Sequence, residues 1–431
     1  MKKYVCTPTA ALQLIFILNT TVYASSAFMA KNGDNVLTGR NGDSKNPNTI
    51  MHVLPSHAGK HGRIYLGAED QGGFYYTTGM NDHGLWYGST SLYDGVALPE
   101  RHDINNYYNK PTWSTELTVK VMEECATVDE AIEIYSTYFS PYWNGHTLFV
   151  DKQGNSVIVE FGEKDVVFIR RKNNYQAMTN FPNSDTLNAR WYNCYRYNTA
   201  MNLLAGGDEI SPAFFRSICD AVHQEGSSPT SLSTVYDVMN GQLYIYYFYN
   251  YEEFLKFNTD EELRKGERYY KIPGYFNQIH LTHPIEGEVV NPSSITFIWN
   301  GNAENYCLYY SNDPNFRDIE PIEISSSHST TENPLMLSIY CFGAFVFGVI
   351  GIRKKNVLAF IIHLTLVTLF LSCGIKIVEP SVELPFAPST VEHRQTMENL
   401  QPNTLYYWKI VAMGSECVNS ESIVHIFKTK D

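Results

Sequence analysis

Basic residues are scarce in this chain of 431 residues. It carries 32 Lys and Arg against 45 Asp and Glu, a net charge of −13, and no basic cluster exceeds a triplet such as Arg353-Lys354-Lys355. Binding to a nucleic acid draws on clustered positive charge, so no nucleic acid partner is expected. The eight cysteines contain no Cys-x-x-Cys pair and no metal-ligand spacing, which leaves no cysteine signature for a metal, and nothing else in the sequence implies a metal or an organic cofactor. Cys6 lies in the leader, Cys341 and Cys373 lie in apolar runs, and the remaining five are an odd set that argues against a fold stapled throughout by disulfides. Cys307 and Cys417 could pair or could stay as buried thiols. What is abundant is apolar material: 44% hydrophobic and 14% aromatic residues can build the cores of two or three domains.

Residues 1–24 read as a signal peptide. Lys2 and Lys3 open it, an apolar run from Ala10 to Leu18 follows, and Val22-Tyr23-Ala24 ends it on small residues. Loss of the two lysines makes the mature charge −15. Cleavage would leave Ser25 with a free α-amino group whose ordinary pKa is about 7.7–8.0. Such an amine can take the proton of its own residue's hydroxyl and activate it as a nucleophile. The plainer reading is that Ser25 is simply the first residue of an exported protein.

Ser25 to Asp43 reads as strand, Asn-Gly turn, strand, a hairpin carrying the new terminus. The run Gly79-Met80-Asn81-Asp82-His83-Gly84-Leu85 reads as a second turn, and Met178-Thr179-Asn180-Phe181-Pro182 closes a later strand. A pair of strands around Asn240-Gly241 and the run Leu263 to Pro273 follow. In this order the motifs resemble the N-terminal-nucleophile amide hydrolases of the choloylglycine hydrolase, penicillin V acylase and acyl-coenzyme A:6-aminopenicillanic acid acyltransferase type, over residues 25–276. Family members have Cys where this chain has Ser25. The resemblance implies a four-layer αββα domain over residues 25–279 and hydrolysis of a linear, non-peptide amide in a small acyl-amine substrate. It also implies roles for five residues. Ser25 would be the nucleophile, Asp43 would accept a hydrogen bond from its amine, and Arg40 would compensate the charge. Asn180 would donate to the oxyanion, a contribution of roughly 3–4 kcal/mol. Arg196, with Arg190 as a competitor, would supply the arginine near the site. The family's second oxyanion Asn is missing, leaving Thr90 or Ser91 as substitute donors. An acyltransferase using the same intermediate and an inactive, ligand-binding member remain alternatives.

Helical spacing predicts a helix within Leu117 to Tyr138 and another at Phe214 to Val222, and strands are expected at Tyr65-Leu66, Thr147–Val150 and Val157–Phe161. From about His280 short alternating strands begin, and the run Leu400-Gln401-Pro402-Asn403-Thr404-Leu405-Tyr406-Tyr407-Trp408 resembles the fibronectin type III or immunoglobulin-like sandwich. Its halves would be residues 280–332 and 376–431. Between them, Leu335 to Ile352 and Val357 to Ile375 are apolar runs of 18 and 19 residues around the basic triplet. Each is long enough to cross a bilayer core, so residues 335–375 predict a transmembrane hairpin with the triplet in the cytoplasm. The fold class is thus α+β followed by an interrupted all-β sandwich. The location would be extracytoplasmic, in the periplasm or at the cell surface, with a membrane anchor.

Overall fold

The computed structural model describes residues 25–70, 73–92, 110–140, 145–162, 165–184, 194–207, 209–226, 228–325, 390–414 and 418–431. The chain divides into two compact units, Met1–Leu243 with Asn258–Tyr270, and Tyr244–Phe257 with Lys271–Asp431.

In the first unit, β1 (Ser25–Asn32) and β2 (Asn35–Asp43) form the expected hairpin. Asn32 pairs with Asn35, so Gly33-Asp34 is a two-residue turn, and Gly33 supplies the left-handed φ of +60° that such a turn requires. β10 (Tyr175–Met178) flanks β1 and β11 (Thr230–Asp237) flanks β2, all antiparallel. An eight-stranded sheet lies opposite. It contains β3 (Thr49–Leu54), β4 (Arg63–Asp70), β5 (Gly73–Asn81), β6 (Trp86–Thr90), β7 (His146–Val150), β8 (Ser156–Phe161) and β9 (Val166–Arg170) in sequence order, with β14 (Arg268–Lys271) beside β3.

Every residue of β7 and β8 is buried, a pattern that requires cover on both faces of the sheet. One face meets the first sheet, where Trp86 of β6 lies 6.3 Å from Tyr236 of β11 between ring centroids. The other meets α1 (Leu117–Glu124) and α2 (Val128–Thr137), whose Val121, Met122, Ala131 and Tyr135 share a core with Tyr87, Phe149 and Val159. The outer face of the first sheet is covered by α3 (Tyr195–Gly206) and α4 (Pro212–Ala221). Phe215, Ile218 and Cys219 form the buried stripe of α4, and Phe215 packs 5.5 Å from Phe28 of β1. The first unit is therefore stacked as helices, sheet, sheet, helices.

Leu117 to Tyr138 forms two helices because Thr127 stops the first pattern and starts a second. Its hydroxyl accepts the Glu130 N–H at 3.3 Å, and the Glu130 carboxylate accepts the Thr127 N–H at 2.9 Å. This reciprocal capping box contributes about 1 kcal/mol to the α2 start.

The second unit takes in β13 (Asn250–Asn258), because Glu253 to Leu255 ladder with β22 (Ser420–Ser422). β12 (Gln242–Tyr247) precedes β13 in that sheet, and α5 (Thr259–Arg264) returns the chain to the first unit. A three-stranded antiparallel sheet consists of β15 (His280–His283), β17 (Ser294–Gly301) and β20 (Val391–Glu398). Facing it are β18 (Asn305–Ser311), β19 (Ile322–Ser325), β21 (Leu405–Ala412) and β23 (His425–Thr429), with β16 (Glu288–Val290) parallel to β23. Phe297, Trp299, Tyr306, Trp408 and Phe427 fill the shared core. Cys307 is a buried thiol, one of the two alternatives the sequence left open, while Cys417 lies outside the described residues, as does the whole expected hairpin at 335–375. Among the described residues no helix is long and apolar enough to cross a membrane.

Candidate active site

Ser25 begins β1, and its direct partner across the ladder is Gly42 of β2. Arg40 lies two residues earlier on β2, so its side chain leaves the strand on the same face as Gly42 would. A Cβ at Gly42 would lie 2.6 Å from Arg40 Nη1, and the missing side chain is what leaves room for the guanidinium. Arg40 Nη2 consequently reaches Ser25 Oγ at 3.4 Å, while Nε donates to the Ser89 carbonyl of β6 at 3.1 Å. Burial lowers the Arg40 pKa to about 10, against the raising effect of Asp43, so the group remains a cation at neutral pH.

The backbone of Ser25 is held from the other side. Its nitrogen donates to Asn180 Oδ1 at 2.9 Å, and its carbonyl accepts from Arg196 Nη1 at 2.8 Å. Arg196 comes from the first turn of α3, and its Nη2 also donates to Asn180 Oδ1 at 2.8 Å. All five predicted residues, Ser25, Arg40, Asp43, Asn180 and Arg196, are buried and converge here, although they span 171 positions of the chain. Arg190, the competitor of Arg196, lies outside the described residues.

Asp43 and Asn180 differ from the expected contacts. Asp43 follows Gly42, so its side chain points to the opposite face of β2 from Arg40. There it accepts from Thr230 Oγ1, from Gln224 Nε2 at 3.0 Å and from Arg196 Nη1 at 3.3 Å. The acceptor that faces the Ser25 nitrogen is instead Asn180 Oδ1. Burial raises the Asp43 pKa to about 6 in spite of the lowering effects of Arg196, Thr230 and Arg40. Asn180 Nδ2 donates to the Ser91 carbonyl at 2.7 Å. Thr90 gives its one hydroxyl proton to the Thr179 carbonyl at 2.6 Å, leaving that side chain only lone pairs to offer.

Ser25, Arg40, Asp43, Thr90 and Ser91 line a cavity of about 340 Å³. Its other walls include Tyr75, Tyr76, Tyr135, Leu117 and Glu116. This is the kind of concave, partly aromatic space that takes a small molecule with an apolar portion. Burial also raises the Glu116 pKa, opposed by the hydroxyl of Thr118. Away from the cavity lining, His61, Asp82 and His83 place potential ligand atoms within 4.8 Å of one another, the one such group among the described residues.

Sequence reasoning passed over Gly42, His146 and Glu160. The last two are fully buried, with His146 Nδ1 2.8 Å from Glu160 Oε1. A usable signal existed for Glu160, a carboxylate placed inside the apolar run Val157-Ile158-Val159-Glu160-Phe161.

No family model and no curated protein sequence matches this chain. Among solved structures, it is similar to a variant of conjugated bile acid hydrolase from Clostridium perfringens, with 15% identity, 57% of this chain and 96% of that chain covered, and a TM-score of 0.48. Penicillin V acylase from Agrobacterium tumefaciens shows 22% identity over 52% of this chain and 82% of its own, with a TM-score of 0.41. The N-acylethanolamine-hydrolyzing acid amidase ortholog of Caenorhabditis elegans shows 19% identity over 50% and 93%, with a TM-score of 0.38. These neighbours are amide hydrolases, and the similarity covers about half of this chain.

Proposed function

We propose that this protein hydrolyses a linear, non-peptide amide, using Ser25 as an N-terminal nucleophile once the chain is cut after Ala24. The observation that carries this reading is that nitrogen, hydroxyl and carbonyl of one residue each meet a different buried side chain at the wall of a cavity. Cutting would turn the Ser25 nitrogen into an amine beside two guanidinium groups, which disfavour its protonated form. The neutral amine takes the Oγ proton as Oγ attacks the substrate carbonyl. Arg40 balances the negative charge that develops there. The amine then passes the proton to the departing nitrogen, leaving an acyl ester on Oγ. A water activated by the same amine breaks that ester and releases the acid. Asn180 and Arg196 hold the terminal residue in place, and Asp43 orients Arg196. The tyrosine-rich wall suits an apolar or aromatic acyl group. Export supplies the cleavage in this reading, and the apolar runs at 335–375 tether the enzyme to a membrane.

Mass spectrometry of the mature chain is the first test, with Ser25 expected at the terminus. Purified protein with that terminus should then release amine from at least one member of a panel of bile-salt conjugates, phenoxyacetyl amides and long-chain acyl amides, and Ser25→Ala should release none. A terminus beyond Ser25, or turnover that survives in Ser25→Ala, refutes the mechanism.

A further inference from the structure

A row of polar side chains lies behind Asn180 and has no part in the chemistry above. Thr90 of β6 and His146 of β7 are direct ladder partners. Glu160 of β8 lies one position beyond the Thr147 and Val159 pair of the next ladder. Directly opposed residues share a face of the sheet, so these three side chains form one rung across three strands. The rung converges on a single backbone atom. The Thr179 carbonyl accepts from Thr90 Oγ1 and from His146 Nε2, both at 2.6 Å. The other ring nitrogen, Nδ1, lies 2.8 Å from Glu160 Oε1. The same carboxylate accepts the backbone N–H groups of Asn183 and Ser184 at 2.7 and 2.9 Å.

Donor arithmetic fixes the charge of this pair. A carbonyl oxygen only accepts, so Nε2 must carry a hydrogen. A neutral imidazole has just one N–H, which would leave a lone pair on Nδ1 facing a carboxylate oxygen in a fully buried place. A second proton must therefore lie between Nδ1 and Oε1. Two backbone N–H donors already favour the ionised carboxylate. Burial pushes the Glu160 carboxyl up, but His146 and the N–H donors outweigh it and hold the group below the ordinary carboxylate range. The proton belongs to the ring.

We propose that His146 and Glu160 form a buried imidazolium–carboxylate pair that fixes the Thr179 carbonyl and so positions Asn180, the acceptor of the Ser25 nitrogen. His146 is a positioning residue and is not part of the cavity lining. Its effect on catalysis rests on the amide hydrolase reading, whereas the ion pair stands without it.

The ion pair is tested in the wild-type protein by ¹⁵N NMR of labelled histidine at pH 8, where an ordinary imidazole is neutral. Both His146 nitrogens should be protonated, and Glu160→Gln should return the ring to the neutral form. A wild-type ring with one bare nitrogen overturns the pair. The positioning role is read from the kinetics of folded His146→Gln and Glu160→Gln. Their kcat should fall by about tenfold or more with KM within about twofold of wild type, and an unchanged kcat overturns it. If wild type turns over no amide in the panel, the functional reading fails by itself. Positioning is then decided by the Asn180 side-chain amide resonance, which should move in His146→Gln; a resonance that stays in place overturns the proposal.

Discussion

Beneath β17 and β21 the second unit buries Phe297, Trp299, Trp408 and Phe427 against one another, whereas next to β1 and β2 the first unit buries Arg40, Asp43, Asn180 and Arg196. The apolar set gains stability from surface removed from water, about 25 cal/mol per Å². The polar set must be hydrogen-bonded group by group to avoid a penalty. The difference teaches where each unit keeps its specificity. Large side chains in the second unit can be exchanged for others of similar volume at modest cost, but each polar group beside Ser25 depends on a named partner. Glu253 is an informative exception in the second unit. Burial raises its pKa to about 7, and the carboxylate accepts the backbone N–H groups of Asn277 and Ile279, so it holds the segment ahead of β15 in place.

The severest way to break this comparison is Arg196→Ala. The change removes donors from the Ser25 carbonyl, Asp43 and Asn180 together. A loss of about 3–5 kcal/mol is expected from urea unfolding at pH 8, along with a more than hundredfold drop in amide turnover. The penalty should shrink below about pH 6, where Asp43 becomes neutral. Trp408→Ala is the counterpart in the second unit and should lose about 3–5 kcal/mol through lost transfer energy and a cavity. Its penalty should change far less across the same pH range, because Trp408 carries no charge, packs on Phe297 and meets the His425 ring only edge-on.

The pH profile sharpens the contrast further. If ionised Asp43 orients Arg196, kcat/KM should fall as pH drops through about 6, and Asp43→Asn should be less active with that acid limb gone. Stability runs the other way. The folded pKa of Asp43 is raised from 3.8, so the native state holds the proton more tightly, and this group's contribution falls as pH rises between about 4 and 6. The smallest effect is expected for Gly42→Ala. The new Cβ would meet the end of the flexible Arg40 side chain, so stability should change by about 1 kcal/mol. Turnover should fall by roughly tenfold as the guanidinium leaves Oγ.

Much of the frame was legible because its signals are local. The Gly33 turn marked the first hairpin, and the apolar runs at Thr147–Val150 and Val157–Phe161 pointed to strands. The convergence of Ser25, Arg40, Asp43, Asn180 and Arg196 was readable only through motif order, since no local pattern links positions so far apart. Contacts at atomic reach were harder to read. Period-two geometry turns Asp43 away from Arg40, yet which acceptor meets the Ser25 nitrogen depends on where the strand carrying Asn180 ends. His146 left no local trace because its partners come from β8 and from the residue after β10. Thr127-Val128-Asp129-Glu130, by contrast, was a visible capping box within the stretch expected to be a single helix.

β1 is an interior strand, laddered to β10 on one edge and to β2 on the other. From Ala27 to Ala30 the strand is paired on both edges, so its register does not depend on the upstream peptide bond, and the proposed cut after Ala24 would alter protonation at Ser25 without shifting that ladder. Under the proposed cleavage after Ala24, maturation would be a chemical unmasking of a residue whose strand is already in register.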